Sequence, residues 1–449
     1  MDITELLIES LAMQDVKIEK YKTCRKTRKL EIWVRQNREN ACCYHCAGPL
    51  YGVHSWREKV LKGPPLGAFN DVKIYFSQLQ AACDLCQRVR FAWAPYIHPS
   101  FRNMTTAFAE VAGQMMEEMT CEAVSRLIVC NSKQLWKLDQ WRMQKMKESE
   151  DYKKLLEVAN VSLMSADEVH MRTIQSKNKQ YIKKQDWAKK FITNLVCYNH
   201  SKVIANAAGR KAKSLKKCLL ELTEEQRLAV QFLAVDMHDG FISSAKELCP
   251  HAKIAVDRFH LAQKLNEKFD EVRKEELAKV KGCKEKHEFL EEMLSGSKRF
   301  ILVERDKDKL PQSDHDDLAK LKMLNENINT AMILVEYFHR LLDRKTVKTF
   351  KTGLDKWFGL VKVSGLNPLK AFAKLVKKYL KEIETYVSSH LTTAVSEGLN
   401  NKIKVLKRMG YGYMNQKSFM NKILQRCGFL NSTHLDTTDW IWGGFKKLA

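Results

Sequence analysis

Two cysteine pairs constrain this chain more than any other feature: "CCYHCAGPL" supplies Cys43-x-x-Cys46 and "CDLCQRVRF" supplies Cys83-x-x-Cys86, with 36 residues, 47 to 82, between them. Two thiolates separated by two residues turn back onto one ion, and two such knuckles complete the closed tetrahedral site of structural zinc. The connecting chain must then return its ends to one place. "DVKIYFSQLQAAC" fits that demand, alternating Val72, Ile74 and Phe76 as a strand that runs into the second knuckle. The layout predicts a zinc ribbon holding one Zn2+ on Cys43, Cys46, Cys83 and Cys86, with Cys42, His45 and His54 as spare candidates. Buried thiols without a metal are the alternative use of the same residues.

Thirteen cysteines, an odd number at irregular spacing, argue against a disulfide scaffold. The N-terminus "MDITELLIESLAMQD" is acidic and lacks a cleavable signal pattern, and no run of about 18 apolar residues occurs, so a cytoplasmic chain without a membrane partner is expected. Lys plus Arg number 77 against 53 Asp plus Glu, a net charge of +24 that would repel itself unless an anion neutralised it. Nucleic acid is the polyanion that such an excess fits, with a solvated basic surface as the plain alternative.

Behind the ribbon, "MTCEAVSRLIVCNSKQLWKLDQWRMQKM" predicts a short helix from about Thr120 with Val124, Leu127 and Ile128 inward. A turn at 129–131 and a second helix capped by Asn131 or Ser132 follow, carrying Lys133, Lys137, Gln140 and Arg142 outward. That is a helix-turn-helix able to enter a major groove, although a plain helical hairpin gives the same pattern.

From about Val161 the pattern changes to short strands and helices in the order β-β-β-α-β-α-β-α. "VSLMSADEVH" reaches Asp167, a turn at 199–201 joins two antiparallel strands, "RLAVQFLAVD" ends in Asp236, and "HAKIAVDRFH" repeats strand, Asp257, helix. Carboxylates at the ends of adjacent apolar strands converge at one sheet edge, where their repulsion calls for a divalent cation, and oxygen donors suit Mg2+ or Mn2+. Asp236 could instead cap the next helix, a task open equally to Asp239 or Ser243. In "DRFH" the imidazole of His260 can fold back on Asp257, which suits a supporting role better than a reacting one.

Residues 263–390 lack strand patterns apart from "RFILVER" and predict an all-α insertion. "LKMLNENINTAMILVEYFHRLLD" and "NPLKAFAKLVKKYLKEIETYV" read as long helices, the second capped by Asn367, while "RDKDKLPQSDHDD" is the most loop-like stretch. A further helix follows in "SEGLNNKIKVLKRMGYGYMN", with Leu399, Ile403 and Leu406 inward, Lys402, Lys404, Lys407 and Arg408 around it, and Glu397 in its first turn. If this helix packs back on the sheet, Glu397 joins Asp167 and Asp236 as a third metal-binding carboxylate while the cations meet a phosphate backbone.

These residues resemble the DDE transposases of bacterial insertion sequences, most nearly the ISL3 type, over most of the chain. The likeness rests on the Cys-x-x-Cys pairs, Asp167–Glu168, Gly209–Arg210, "VDMHDGF", "DRFH" and above all "EGLNNKIKVLKRMGYGY". It implies a ribonuclease-H-like mixed-sheet domain interrupted by the helical insertion, with Asp167, Asp236 and Glu397 as the catalytic triad and Asp257 and His260 beside it. Two Mg2+ or Mn2+ ions would serve phosphodiester hydrolysis and strand transfer on double-stranded DNA, at the element ends and at a target, by a homo-oligomer in the bacterial nucleoid. The expected layout is an N-terminal segment 1–35, zinc ribbon 36–98, helix-turn-helix 99–150, catalytic domain 151–262, helical insertion 263–390, closing helix 391–430 and a tail 431–449. A DNA-binding regulator without catalysis would explain the charge but not the recurring carboxylates, and a structure-specific nuclease on the same fold would differ only in lacking strand transfer.

Overall fold

The computed structural model describes residues 3–171, 191–280, 288–295, 311–389, 394–410, 413 and 415–435. The chain forms two compact units, Met1–Val158 with Val405–Ala449, and Ala159–Lys404.

The first unit opens with helix α1 (Ile3–Ser10) and strands β1 (Val16–Cys24), β2 (Lys29–Gln36), β3 (Leu50–Gly63), β4 (Asp71–Cys83) and β5 (Arg88–Phe91). They make one sheet in the order β1-β2-β4-β3, with β5 also on β4 and only the β2–β4 pairing parallel. Leu30, Ile32 and Val34 of β2 alternate into the core against Val72, Ile74 and Phe76 of β4, the period-two burial that a one-sided sheet demands. The boundary expected at 35/36 therefore falls inside β2, and the N-terminal strands belong to the same sheet as the cysteine-bearing ones. The alternation of Leu30, Ile32 and Val34 was the signal for it.

Helices α2 (Thr106–Glu118), α3 (Cys121–Leu127), α4 (Ser132–Glu148) and α5 (Glu150–Glu157) follow. Thr105, Thr120 and Asn131 cap the first three with side-chain oxygens on backbone N–H groups, so the turn between α3 and α4 lies where the sequence put it. Val124 and Ile128 are buried as expected, but Leu127 is exposed. Arg142, expected on the outward face of α4, is also inside: it is 1% exposed and ion-paired with Glu117 and Glu110 of α2. Its long stem reads as polar in sequence, and only the two facing carboxylates make burial affordable.

The second unit holds β6 (Leu163–His170), β7 (Phe191–Cys197), β8 (Lys202–Ala208), α6 (Ala212–Leu219), α7 (Glu224–Ala229), β9 (Phe232–Val235), α8 (Asp239–Leu248), β10 (Lys253–Val256) and α9 (Arg258–Val280). The order is the expected one with a short extra helix, α7, taking residues that had read as the start of β9. Its sheet runs β10-β9-β6-β7-β8, parallel across β10, β9 and β6 and antiparallel from β6 to β8.

Among the described residues after α9 the chain is helical, while "RFILVER" lies outside them. The helix Gln312–Leu324 occupies part of the stretch expected to be a loop, and Asn325 ends it and caps Glu326–Leu342 through a bond from Ile328 N at 2.9 Å. The single helix expected from Asn367 is likewise two, Asn367–Lys378 and Leu380–Ser389, and the first starts behind Leu366, with Asn367 already inside. Trp357, Phe338 and Phe372 form its aromatic centre, with Trp357 Nε1 donating to Leu334 O at 2.8 Å. The last helices are Ala394–Met409 and, in the first unit, Gln416–Cys427.

Candidate active site and metal centres

Register places the acids. In the parallel pair β6–β9, Ser165 lies opposite Ala234, so two residues further on Asp167 comes level with Asp236; in β9–β10, Val235 lies opposite Val256, which brings Asp257 level with Asp236. Asp236 and Asp257 thus directly follow the last residues of β9 and β10, and Asp167, inside β6 rather than at its end, comes level with them at the edge where open α/β sheets carry their sites. Asp236 does not cap α8: the N-cap position is His238, and Asp236 Oδ1 accepts from Met237 N at 2.6 Å. Asp257 does brace its helix, accepting from Phe259 N at 2.9 Å.

His260 sits against this row. Its Nδ1 is 3.6 Å from Asp236, and its Nε2 is 3.9 Å from Asp167 and 3.8 Å from Asp257. Burial pushes the imidazole's pKa down, but the nearby carboxylate of Asp167 and the charges of Asp236 and Asp257 outweigh it and lift it to about 9. Glu168 shows the same excess of negative charge: burial first, then Asp236 and Asp167, push its carboxyl up to about 7 against the pull of Arg210.

The helix Ala394–Met409 docks on the strand that carries Asp167. Asn400 Nδ2 donates to Asp167 Oδ2, and the hydroxyl of Ser396 meets that of Ser165, two residues before Asp167 on the same face of β6. Ser165, Asp167, Asp236, Asp257, His260 and Ser396 line one small cleft. Glu397 lies between the two docking residues in the first turn and is exposed, as are Lys402, Lys404 and Arg408, while Lys407 is half-buried. Sequence reasoning gave Ser165, Ser396 and Asn400 no task. The spacing of Ser396 and Asn400, four apart on the apolar side of this helix, was the available signal.

In the first unit, Cys43, Cys46, Cys83 and Cys86 bring their sulfurs within 4.8 Å of one another. Cys46 Sγ is 3.5 Å from Cys83 and 3.2 Å from Cys86. Backbone N–H groups point at two of the sulfurs, from His45 to Cys43 at 3.3 Å and from Cys86 to Cys83 at 3.5 Å, and the latter bond helps to draw the Cys83 thiol down to about 7. Four soft sulfur donors at this spacing can hold zinc. Cys42, His45 and His54 are not in the group. Lys133 and Lys137 are exposed on α4; Arg142 is not available there.

A sheet edge lined with acids, a basic helix docked beside it and a four-cysteine cluster that could hold a metal ion define a two-unit α/β protein. The family model described as "Transposase", for the ISL3 group of DDE enzymes, matches residues 179–423. The chain belongs to the ISL3-type DDE transposases, a family of enzymes that cleave and transfer DNA. A curated relative, the transposase for insertion sequence element IS1001 of Bordetella parapertussis, is 22% identical over 400 residues, covering 88% of this chain and 91% of its own length. No helix among the described residues is long and apolar enough to cross a membrane.

Proposed function

We propose that this transposase binds the ends of its insertion sequence, hydrolyses a phosphodiester there, and uses the freed 3′-hydroxyl to attack target DNA, with Asp167, Asp236 and Glu397 as the catalytic carboxylates. The observation that carries this reading is the level row of Asp167, Asp236 and Asp257, with the Glu397 helix docked onto it through Asn400 and Ser396. The strand order β10-β9-β6-β7-β8 with this mix of directions supports the ribonuclease-H-like description, and α3 with α4 supports a helix-turn-helix.

The donor set suits hard divalent cations: it is made of carboxylate oxygens, and the raised pKa of His260 reflects negative charge in the row that a cation would offset. Asp167, Asp236 and Glu397 would hold two Mg2+ or Mn2+ ions, which supply Lewis-acid stabilisation of the attacking and leaving oxygens. The chain's own residues do the rest. Asn400 fixes the carboxylate of Asp167, His260 and Asp257 brace the row, and the exposed Lys402, Lys404 and Arg408 with Lys407 neutralise phosphates along the helix. Lys133 and Lys137 would contact DNA from α4, and one Zn2+ on the four cysteines would fix the ribbon. A homo-oligomer that pairs two element ends, acting at the nucleoid, completes the reading.

Asp167→Asn and Asp236→Asn should each retain binding to a duplex of the element end and lose Mg2+-dependent nicking. Nicking at the wild-type rate by either variant would overturn the assignment, and a wild-type protein that binds ends without ever nicking would favour a regulator.

A further inference from the structure

A cavity of about 680 Å3 opens within the first unit, with α2, α3 and α4 on one side and Leu406, Tyr413, Lys422 and Arg426 among the described residues on the other. Its size is that of a small-molecule site, and neither the acidic row nor the cysteine cluster uses it. Met119, Trp136, Leu406 and Tyr413 give it apolar and aromatic walls. Asp139 also lines it, with its side chain only 3% exposed. One oxygen of Asp139, Oδ2, takes Lys422 Nζ at 2.8 Å; the other, Oδ1, is buried and has no hydrogen-bond partner among the described residues. Leaving a buried acceptor unmade is costly, so a ligand whose entry brings an N–H to it gains that bond.

The charges around the cavity narrow the ligand further. Arg426 is paired with Glu118 at 2.6 Å, and Lys422 is shared among Asp139, Met116 O at 2.7 Å and Gln425 at 2.6 Å. Both cations are already engaged, which disfavours a phosphate and favours a neutral, flat, apolar-faced group with N–H donors on one edge. A nucleobase with an exocyclic amine has that chemistry. A route for it is present too: Trp136, 44% exposed, lies on α4 between the exposed Lys133 and Lys137, which are placed to take the flanking phosphates.

We propose that this cavity receives a single amine-bearing base turned out of the DNA duplex, stacked on Trp136 with its amine edge toward Asp139 Oδ1. The inference rests on the reading of α4 as a DNA-facing helix. Turning out a base costs its stacking and pairing, and a mismatch removes much of that cost, so the site should bind mismatched DNA more tightly at one position only.

The test is a mismatch scan. Duplexes from the ends of the element, each with one mismatch, are titrated with the full-length protein, its Trp136→Ala variant and, as a second variant at the cavity wall, Gln140→Ala. The expected result is one position where a mismatch tightens binding about tenfold, less so when the unpaired base is thymine, and a gain that Trp136→Ala abolishes at an unchanged melting temperature. Ordinary duplex binding with no mismatch gain at any position, or a gain that survives Trp136→Ala, overturns the inference and leaves the transposase reading standing. A folded protein that binds no duplex overturns both.

Discussion

Replacing Arg142 separates two accounts of α4. If its guanidinium faced DNA, Arg142→Met would weaken binding and leave the fold alone. The structure predicts the reverse. Arg142 is 1% exposed, and losing one partner of a buried ion pair costs roughly 3–5 kcal/mol because the other charge is stranded. Here the stranded groups are Glu110, which is only partly buried, and Glu117, which keeps Ser432 N at 3.0 and 3.2 Å and Ser432 Oγ at 2.8 Å, so the cost should sit near the lower end, about 3 kcal/mol. Methionine retains most of the stem's volume, which limits any cavity cost. With a urea slope of about 2–3 kcal/mol per molar, the midpoint for the first unit should fall by roughly 1 M. Adding Glu117→Gln should recover part of the loss. Fluorescence-monitored urea unfolding and end-duplex binding, measured side by side, decide it. An unchanged midpoint with weakened binding would refute the reasoning and return Arg142 to the DNA face. Gly113→Ala is an independent probe of the same packing, since an added Cβ would come within 2.5 Å of Arg142 Cδ.

Other predictions concern the proposed sites. Asn400→Ala, which frees the carboxylate of Asp167, should weaken Mn2+ binding and slow nicking by about 10–100-fold each, read by calorimetry and by cleavage; unchanged values would deny Asn400 a positioning role. Cys83→Ser should abolish the one zinc ion per chain that a colorimetric chelator releases from unfolded wild type, and a wild type that releases none would remove the zinc ribbon from the account. Lys402→Ala with Lys404→Ala should lower the slope of log affinity against log salt by about 0.9 for each phosphate no longer neutralised, without changing which sequence is preferred.

Much of this was legible in the sequence because local rules decide it. Cys43-x-x-Cys46 and Cys83-x-x-Cys86 specify their own geometry, Asn131 announces the start of α4, and the repeated strand-then-aspartate pattern marks Asp167, Asp236 and Asp257. What escaped depends on partners distant in the chain. Arg142 looks solvated until Glu110 and Glu117 face it, and Leu127 looks buried until the turn after α3 leaves it outside. Asn325 and Tyr379 interrupt helices whose apolar periodicity runs straight through; at Asn325 a side-chain cap overrides the continuous pattern. The spacing of Ser396 and Asn400 marks one helix face, but their partners on β6 lie more than two hundred residues away, and that pairing is not written in any local pattern.

The central claim is that Glu397 completes the site begun by Asp167 and Asp236, and cleavage of an element-end duplex by Glu397→Gln in Mg2+ tests it most directly. The account predicts end binding within about twofold of wild type and no detectable nicking. Cleavage that persists with the amide in place would contradict it and reduce Glu397 to a first-turn acid on a DNA-binding helix.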